Sequence, residues 1–400
     1  MNTALLLVAT TAVQVVLSLA CLALPAIAPK VAGALGVPAA LVGYWVSLVY
    51  GGAMVSTLMG GPMVRRFGAT RISQAALTLG ALGMVLASVA WLPVLAAAAL
   101  LTGLGYGLVN PASSLLLARA AGPRNRNLIF SIKQTGVPLG GMLAGLAAPP
   151  LAQAFGWQWA PAGVAVLCLA LALGLQPWRA AWDADRDPAA RFRENPLAGL
   201  ALIWGRPALR FLSLAAFAFA VVQLCLTAFT VTMLVEEAGY GLVAAGAVMS
   251  VVQFSGVAGR LLWGLLADRL GSLAVLALIA VVMAGAAAIT AQIAPSWPQG
   301  AVVALLFVFG LSAIGWNGVY LAEVARITPL DEVSRATGAS LFFTFGGVLV
   351  GPSAFALLVG PMGGYGATYG LLAVVGAAGL GLILLAITRR APGARPGTTP

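Results

Sequence analysis

Long apolar segments, each of roughly 20 to 28 residues, recur along the whole chain, and about 20 residues of α-helix suffice to cross the hydrocarbon core of a bilayer. Charged residues make up only 8% of the 400 residues, whereas a soluble domain carries about 25%. The segments are continuously apolar and do not alternate, which excludes a transmembrane β-barrel. The pattern therefore predicts an all-α membrane protein.

Twelve such segments can be counted, and they lie at 4–28, 39–61, 72–92, 94–118, 128–154, 159–177, 208–235, 240–267, 272–293, 299–325, 335–359 and 363–388. The first is too long for the core of a signal peptide and lacks a basic start, so it counts as a helix. The only extended polar stretch divides the chain in its middle. The sequence thus predicts an N-terminal six-helix bundle, a cytoplasmic central loop, a C-terminal six-helix bundle and a disordered cytoplasmic tail, at 1–177, 178–207, 208–388 and 389–400.

Positive charges gather on alternate connections between the segments. If both termini are cytoplasmic, the inner side holds 18 of the 21 Lys and Arg residues, and the outer loops hold only Lys30. Because cytoplasmic loops are enriched in Lys and Arg, this distribution predicts a multi-pass protein of a bacterial-type inner (plasma) membrane with both termini cytoplasmic. The same topology explains the net charge of +11, because the cytoplasmic Lys and Arg residues can contact anionic membrane lipid. Nucleic-acid binding is not needed to explain it.

The residues that enzymes and metal sites need are scarce. The chain has no histidine, and its three cysteines lie within apolar segments without metal-ligand spacing. No nucleophile-elbow, zinc-protease or P-loop pattern is present. We therefore expect no enzyme activity, no cofactor and no metal.

The two halves of the chain repeat each other. "GPMVRRFG", 61–68, follows the second segment and "GLLADRLG", 264–271, follows the eighth, at an offset of 203 residues. In the fourth and tenth segments an offset of 207 places Asn110 on Asn317 and Arg119 on Arg326. Glycine-rich "GVPLGG" and "GGVLVGP" then follow in the fifth and eleventh.

These motifs, at these junctions, resemble the major facilitator superfamily across essentially the whole chain. The resemblance implies twelve transmembrane helices in two pseudo-symmetric six-helix bundles around a central cavity. It also implies transport by rocking of one half against the other, with the substrate near the midplane. We expect the protein to act as a monomer.

The signature after the second segment departs from the family pattern, because Arg65 stands where that pattern has aspartate. The second half has the aspartate of the signature, Asp268, and a second acid, Glu323, in the tenth segment. The resemblance implies that charges at these helix ends form a latch, which closes and opens during transport. The candidate latch residues are Asp268, Arg269, Glu323 and Arg326. The alternative is that these four are ordinary charges at helix ends.

Two cations lie deeper in the membrane than the others, Lys133 in the fifth segment and Arg260 in the eighth. A cation in a transmembrane helix costs about 2.5 to 3.5 kcal/mol on insertion scales and needs a partner. The sequence offers no acid at that depth. A substrate that brings the negative charge explains both cations, and arginine suits a carboxylate because its planar fork donates two parallel hydrogen bonds. The alternatives are that Lys133 extends to the interface and binds lipid phosphate, or that Arg260 belongs to the latch.

Several neighbours complete the predicted substrate site. Besides the two cations, the candidates are Gln134, Gln253, Asn110, Asn317, Tyr320 and Trp316, with Gln14 and Gln223 as weaker ones. Asn and Gln inside spans also bond across helices in a purely structural way, and that reading stays open for each of them.

The segment around Arg260, "GRLLWGLLADRLG", resembles the eighth helix of monocarboxylate and oxalate:formate transporters, and "SIKQTGVPLGG", 131–141, resembles cyanate-type carriers. The resemblance implies that Arg260 binds a substrate carboxylate. We predict a secondary transporter of a small organic anion, such as a monocarboxylate, that works by alternating access. The alternatives are a multidrug or metabolite efflux carrier of the same superfamily and a non-transporting membrane sensor. Anion exchange, uniport or proton symport all stay open; no acid is central, and Glu323, near the cytoplasmic end of its segment, is the only fallback as a proton carrier.

Overall fold

The computed structural model describes residues 3–120, 129, 132–184, 186–189, 198–329 and 332–389, and these residues form helices joined by short connections. The first half contains six long helices. They are α1 (Thr3–Ala23), α2 (Val42–Phe67), α3 (Ala69–Ala87), α4 (Leu92–Ala120), α5 (Gly136–Phe155) and α6 (Trp159–Gly174). A shorter helix, Ala28–Leu35, lies between α1 and α2.

The second half repeats this order. Its helices are α7 (Pro207–Glu236), α8 (Leu242–Leu270), α9 (Ser272–Thr290), α10 (Gln299–Gly315, resumed as Asn317–Arg326), α11 (Val333–Met362) and α12 (Tyr365–Thr388). We call the side of the molecule where α1 begins and α12 ends the terminal side, and the opposite side the distal side.

Among the described residues, 11 helices are long and apolar enough to cross a membrane. The predicted fifth span is the less apolar one, because α5 carries Pro138, Pro149, Pro150 and several glycines. With α5 included, the helices match the twelve predicted spans in number and order. Eleven apolar helices and the packing described below fit the predicted fold of two six-helix bundles around a central cavity.

The helices of the two halves pack in equivalent pairs. Contacts of α1 with α5 and α6 correspond to those of α7 with α11 and α12, and contacts of α4 with α2 and α3 correspond to those of α10 with α8 and α9. Between the halves, α5 packs on α8 and α11 packs on α2. The helices of the fifth and eighth predicted spans, which carry Lys133 and Arg260, are therefore neighbours across the interface.

Small residues allow the close approach of α5 and α8. A Cβ atom on Gly145 would overlap the carbonyl oxygen of Gly246, and the hydroxyl of Ser250 donates to the carbonyl of Met142 at 2.9 Å. The corresponding contact of α2 with α11 brings Gly43 against the backbone of Pro352. Both contacts lie toward the distal side, so the two halves meet closely there.

The structure differs from the sequence prediction in two places. The first helix ends at Ala23, earlier than expected, because Pro25 interrupts it and a 3₁₀ turn, Pro25–Ile27, follows. The predicted central loop, 178–207, contains two short helices, Arg179–Trp182 and Ala198–Gly205. The second of these packs on α11 because it is apolar.

Replacing Gly145 by valine is expected to lower the stability of the protein, because the added side chain has no space between α5 and α8. Overpacking of this kind costs about 1–3 kcal/mol. The thermal unfolding of detergent-purified protein measures the effect. Gly163→Val is the matched control, since a Cβ atom at Gly163 meets no atom within 4 Å. Equal unfolding temperatures for the two variants would contradict the packing argument.

Candidate functional site

Lys133 is buried, with 2% of its surface exposed. Its ammonium nitrogen Nζ donates to Gln14 Oε1 on α1 at 2.8 Å and to Asn110 Oδ1 on α4 at 2.5 Å. The side chain therefore points into the first bundle and does not extend to a lipid interface. Two amide oxygens offset part of the cost of burying the charge, although neither carries a negative charge of its own.

Arg260 reaches from α8 across the interface between the halves. Its Nη1 donates to the backbone carbonyl of Gln134 at 2.7 Å, next in the chain to Lys133. Its Nε is buried and has no hydrogen-bond partner in the described chain. The fold therefore brings the two deep cations together just before the start of α5 and leaves a guanidinium donor unused.

The acidic residues that the structure describes bind groups other than Lys133 and Arg260, or lie elsewhere in the fold. The carboxylate of Asp183 accepts from the backbone N–H groups of Thr70 and Arg71 at the start of α3, at 2.7 and 3.0 Å. Glu237 does the same for Tyr365 and Gly366 at the start of α12. Carboxylates are stabilised at helix N-termini by free N–H groups and by the helix dipole.

Two further acids are held by arginine, Glu332 by Arg206 and Glu323 by Arg326. Within the described residues, no hydrogen bond or ion pair joins a carboxylate to Lys133 or Arg260.

The second half holds a different polar group, in which Gln223 on α7 joins two residues of α10. Gln223 Oε1 accepts from the indole Nε1 of Trp316 at 3.0 Å and from Nδ2 of Asn317 at 3.2 Å. Trp316 is buried and packs edge-on against Phe219, with ring centroids 5.5 Å apart. Asn317 and Gln223 are half-buried in the middle of the fold.

Three predicted site residues are buried in helix packing. Gln253 is 3% exposed and its side-chain amide lies against Gly141 of α5. Trp316 and Tyr320 are 0% and 1% exposed, so they pack in the core of the second bundle. The reason is that α10 turns this aromatic face toward α7.

The predicted latch residues are only partly brought together. Glu323 is fully buried and accepts two hydrogen bonds from Arg326, at 2.7 and 2.8 Å. Asp268 and Arg269 are exposed at the end of α8, and no described contact joins them to that pair. The four-residue latch stays a prediction.

The sequence underrated two amides and missed two tyrosines. Gln14 and Gln223 ranked as weak candidates, yet each makes central hydrogen bonds. Tyr50 and Tyr106 pack edge to face, with centroids 5.7 Å apart, on α2 and α4. A signal for Tyr106 was available, because it precedes Asn110 by one helical turn on the same face.

Comparison with known proteins agrees with this architecture. The family model described as Major Facilitator Superfamily matches residues 6–343. The 3-(3-hydroxy-phenyl)propionate transporter of Escherichia coli (strain K12) is 30% identical over 348 residues, which cover 83% of this chain and 80% of that protein. The 4-hydroxybenzoate transporter PcaK of Acinetobacter baylyi (strain ATCC 33305 / BD413 / ADP1) is 31% identical over 143 residues, 34% of this chain and 31% of that protein.

Solved structures show the same fold. A bacterial homologue of the human lysosomal transporter Spinster, in an inward-facing and occupied conformation, superposes with a TM-score of 0.78 at 16% identity, covering 98% of this chain and 99% of the other. A point mutant of the nucleoside transporter NupG gives a TM-score of 0.77 at 17% identity, covering 98% of this chain and 100% of the other.

The family match and the transporter relatives together define the class of this chain as a multi-pass membrane transporter and not an enzyme. The chain belongs to the Major Facilitator Superfamily.

Replacing Gln223 by leucine is expected to destabilise the protein, because the indole N–H of Trp316 loses its acceptor. A buried donor without a partner costs about 1–3 kcal/mol. The thermal unfolding temperature measures the loss. The double variant Gln223→Leu with Trp316→Phe removes donor and acceptor together and should recover much of it. A double variant that is less stable than the single one would show that the hydrogen bond is not the cause.

Proposed function

We propose that this transporter carries a small organic monocarboxylate, and more specifically an aromatic acid, by alternating access between the two halves. Lys133 and Arg260 are the proposed anion clamp. The proposal narrows the class of substrate within a family of transporters that moves many different solutes.

The observation that carries the proposal is the unused donor of Arg260. Its Nε is buried without a partner while Nη1 is fixed on the carbonyl of Gln134. An unsatisfied buried guanidinium group is costly unless an acceptor arrives. A carboxylate is the acceptor that satisfies it best, since it receives two parallel hydrogen bonds and neutralises the charge.

Lys133 supports the same reading. An ammonium group donates three hydrogen bonds and accepts none, and the structure shows acceptors for two of them. Because Gln14 and Asn110 are neutral and no described carboxylate bonds to Lys133, the described residues leave the positive charge near α5 uncancelled. An anion entering between α5 and α8 supplies the missing negative charge.

The relatives favour an aromatic acid. The two curated relatives are named for 3-(3-hydroxy-phenyl)propionate and 4-hydroxybenzoate, and each of those compounds joins one carboxylate to a hydroxylated ring. The first of them aligns over most of both chains. The proposed clamp binds the feature that the two compounds share at neutral pH, the carboxylate.

The glycine contacts suggest how the clamp changes its access. The halves are closely packed on the distal side through Gly145 with Gly246 and through Gly43 with Pro352. We propose that these contacts open when the terminal side closes. Transport then moves the anion between the two sides without a continuous pore.

Topology and organisation are part of the proposal. The positive residues favour a cytoplasmic terminal side, so we propose a bacterial-type inner-membrane protein with both termini in the cytoplasm. We also propose that residues 1–177 and 208–388 form the two bundles, that 178–207 connects them and that 389–400 is a tail. The protein is proposed to act as a monomer. The tail beyond Arg389 lies outside the described residues.

The clamp predicts that Arg260→Ala weakens binding of 4-hydroxybenzoate by about 30-fold or more, since truncating one partner of a buried charge pair costs about 2–5 kcal/mol. Arg260→Lys should restore only part of the affinity, because a lysine cannot form the planar fork. Lys133→Ala should also weaken binding. Thermal shifts of purified protein titrated with the acid measure these affinities, since a ligand of the folded state raises stability with its concentration.

Lys30→Ala is the matched control, because it removes an exposed cation away from the proposed clamp. It should leave the affinity unchanged. A panel of amphipathic cations and neutral solutes tests the competing efflux role. If cationic compounds alone stabilise the protein, or if the acid binds wild type and both clamp variants equally, the anion proposal fails.

The latch proposal concerns Glu323 and Arg326. Breaking their ion pair with Glu323→Gln is expected to reduce the transport rate about fivefold or more, in the range of typical coupling between conformational states, while substrate affinity changes little. Uptake into proteoliposomes and thermal shift separate the two effects. The charge swap Glu323→Arg with Arg326→Glu should recover part of the rate. If the latch of four residues forms in another conformation, Asp268→Asn should also slow transport. A rate unaffected by all of these changes would leave the pair as an ordinary helix-end contact.

A further inference from the structure

The orientation of the two central asparagines gives the substrate site two chemically different ends. The indole nitrogen of Trp316 only donates, so Gln223 must turn its oxygen toward it. That oxygen also receives Asn317, which must therefore present its nitrogen. The remaining groups, Asn317 Oδ1 and Gln223 Nε2, have no partner among the described residues.

In the first half, the side-chain amides of Gln14 and Asn110 have the opposite orientation to that of Asn317. The ammonium group of Lys133 only donates, so Gln14 and Asn110 present their oxygens to it. The Nδ2 group of Asn110 is left as a donor. Together with Lys133 and Arg260 it forms a surface that offers hydrogen-bond donors, which suits a carboxylate.

The two asparagines are equivalent in the repeat, at an offset of 207 residues. They lie on α4 and α10, which occupy equivalent places in their bundles, and both are half-buried. An amide facing the hydrocarbon would be costly, so their exposed parts face the cavity between the halves. At the same offset Lys133 corresponds to Ser340, which carries no charge. The cationic groups, Lys133 and the guanidinium that Arg260 extends from α8, therefore meet beside Gln134 of the first half, whereas the polar groups on α7 and α10 are neutral.

We infer that Asn317 and Gln223 form a hydroxyl-binding subsite, so that the substrate is a hydroxylated monocarboxylate held with its carboxylate toward the first half and its hydroxyl toward the second. A hydroxyl donates one hydrogen bond and accepts others. It can donate to Asn317 Oδ1 and accept from Gln223 Nε2. A second carboxylate would be repelled by Asn317 Oδ1, and an ammonium group would meet the Gln223 donors.

The inference rests on the proposed function, because the carboxylate end uses the Lys133–Arg260 clamp. It adds a reason for selectivity among monocarboxylates. Trp316 acts as a positioning residue, since its bond to Gln223 fixes which way both amides point. A site built to pair with a hydroxyl discriminates against an analogue that lacks it, because its own polar groups are then left without partners.

The test compares acids that differ only by the hydroxyl group, 4-hydroxybenzoate with benzoate and 3-(3-hydroxyphenyl)propionate with 3-phenylpropionate. Dissociation constants are measured on the purified full-length protein. Wild type is expected to bind the hydroxylated member about tenfold more tightly, in line with one to two well-formed hydrogen bonds. Asn317→Ala should bring the ratio to about twofold or less by weakening only the hydroxylated acid.

Asn110→Ala is the matched variant on the other asparagine. It should weaken both members of each pair and leave their ratio near the wild-type value, since Asn110 belongs to the carboxylate end. Gln292→Ala, an exposed glutamine just after α9, should change neither. Where Asn317→Ala lowers the yield of folded protein, Asn317→Leu, whose side-chain heavy atoms branch in the same way as those of asparagine, removes the same acceptor without leaving a cavity.

The outcomes separate the two proposals. If wild type binds none of the four acids, the proposed function fails. If wild type binds both members of each pair equally, or if Asn317→Ala keeps the full hydroxyl preference, the subsite is wrong while the carboxylate clamp stands. A preference lost in Asn110→Ala and kept in Asn317→Ala would reverse the proposed orientation.

Discussion

The burial of a positive charge among neutral amides is the constraint on which the centre of this transporter depends. Lys133 is almost fully buried, and its two amide acceptors on α1 and α4 tie three helices of the first bundle together. Amides orient an ammonium group without cancelling its charge. This residue therefore holds the first half together, and its uncancelled charge is the basis of the proposed anion clamp.

The contact of α5 with α8 extends this constraint across the interface between the halves. Gly145 and Gly246 let the two backbones approach each other. Farther along α8, Arg260 donates a hydrogen bond to the carbonyl of Gln134. The same pair of helices thus carries a packing contact on the distal side and a charged contact deeper in the fold. Rocking of one half on the other must change both, which couples access to the state of the proposed clamp.

The pseudo-symmetry of the fold makes the differences between the halves informative. Equivalent asparagines stand on α4 and α10, yet one serves a lysine and the other a glutamine. The acids are placed at helix starts and ends, where free backbone N–H groups or arginines stabilise them. This distribution places the positive groups near Gln134 and neutral amides on α7 and α10, and the proposed orientation of the substrate rests on that difference.

The class of fold, the order of the helices and the deep position of Lys133 and Arg260 follow from the sequence alone, because segment length, apolar composition and internal repeats can be read directly in the chain. The directions of the side chains come from the tertiary structure. It paired Lys133 with Gln14 and Asn110, buried Gln253, Trp316 and Tyr320 in helix contacts, and left Asp268 apart from Glu323. These outcomes depend on helix rotation and on the hydrogen-bonding direction of each amide, which residue spacing within one helix does not specify.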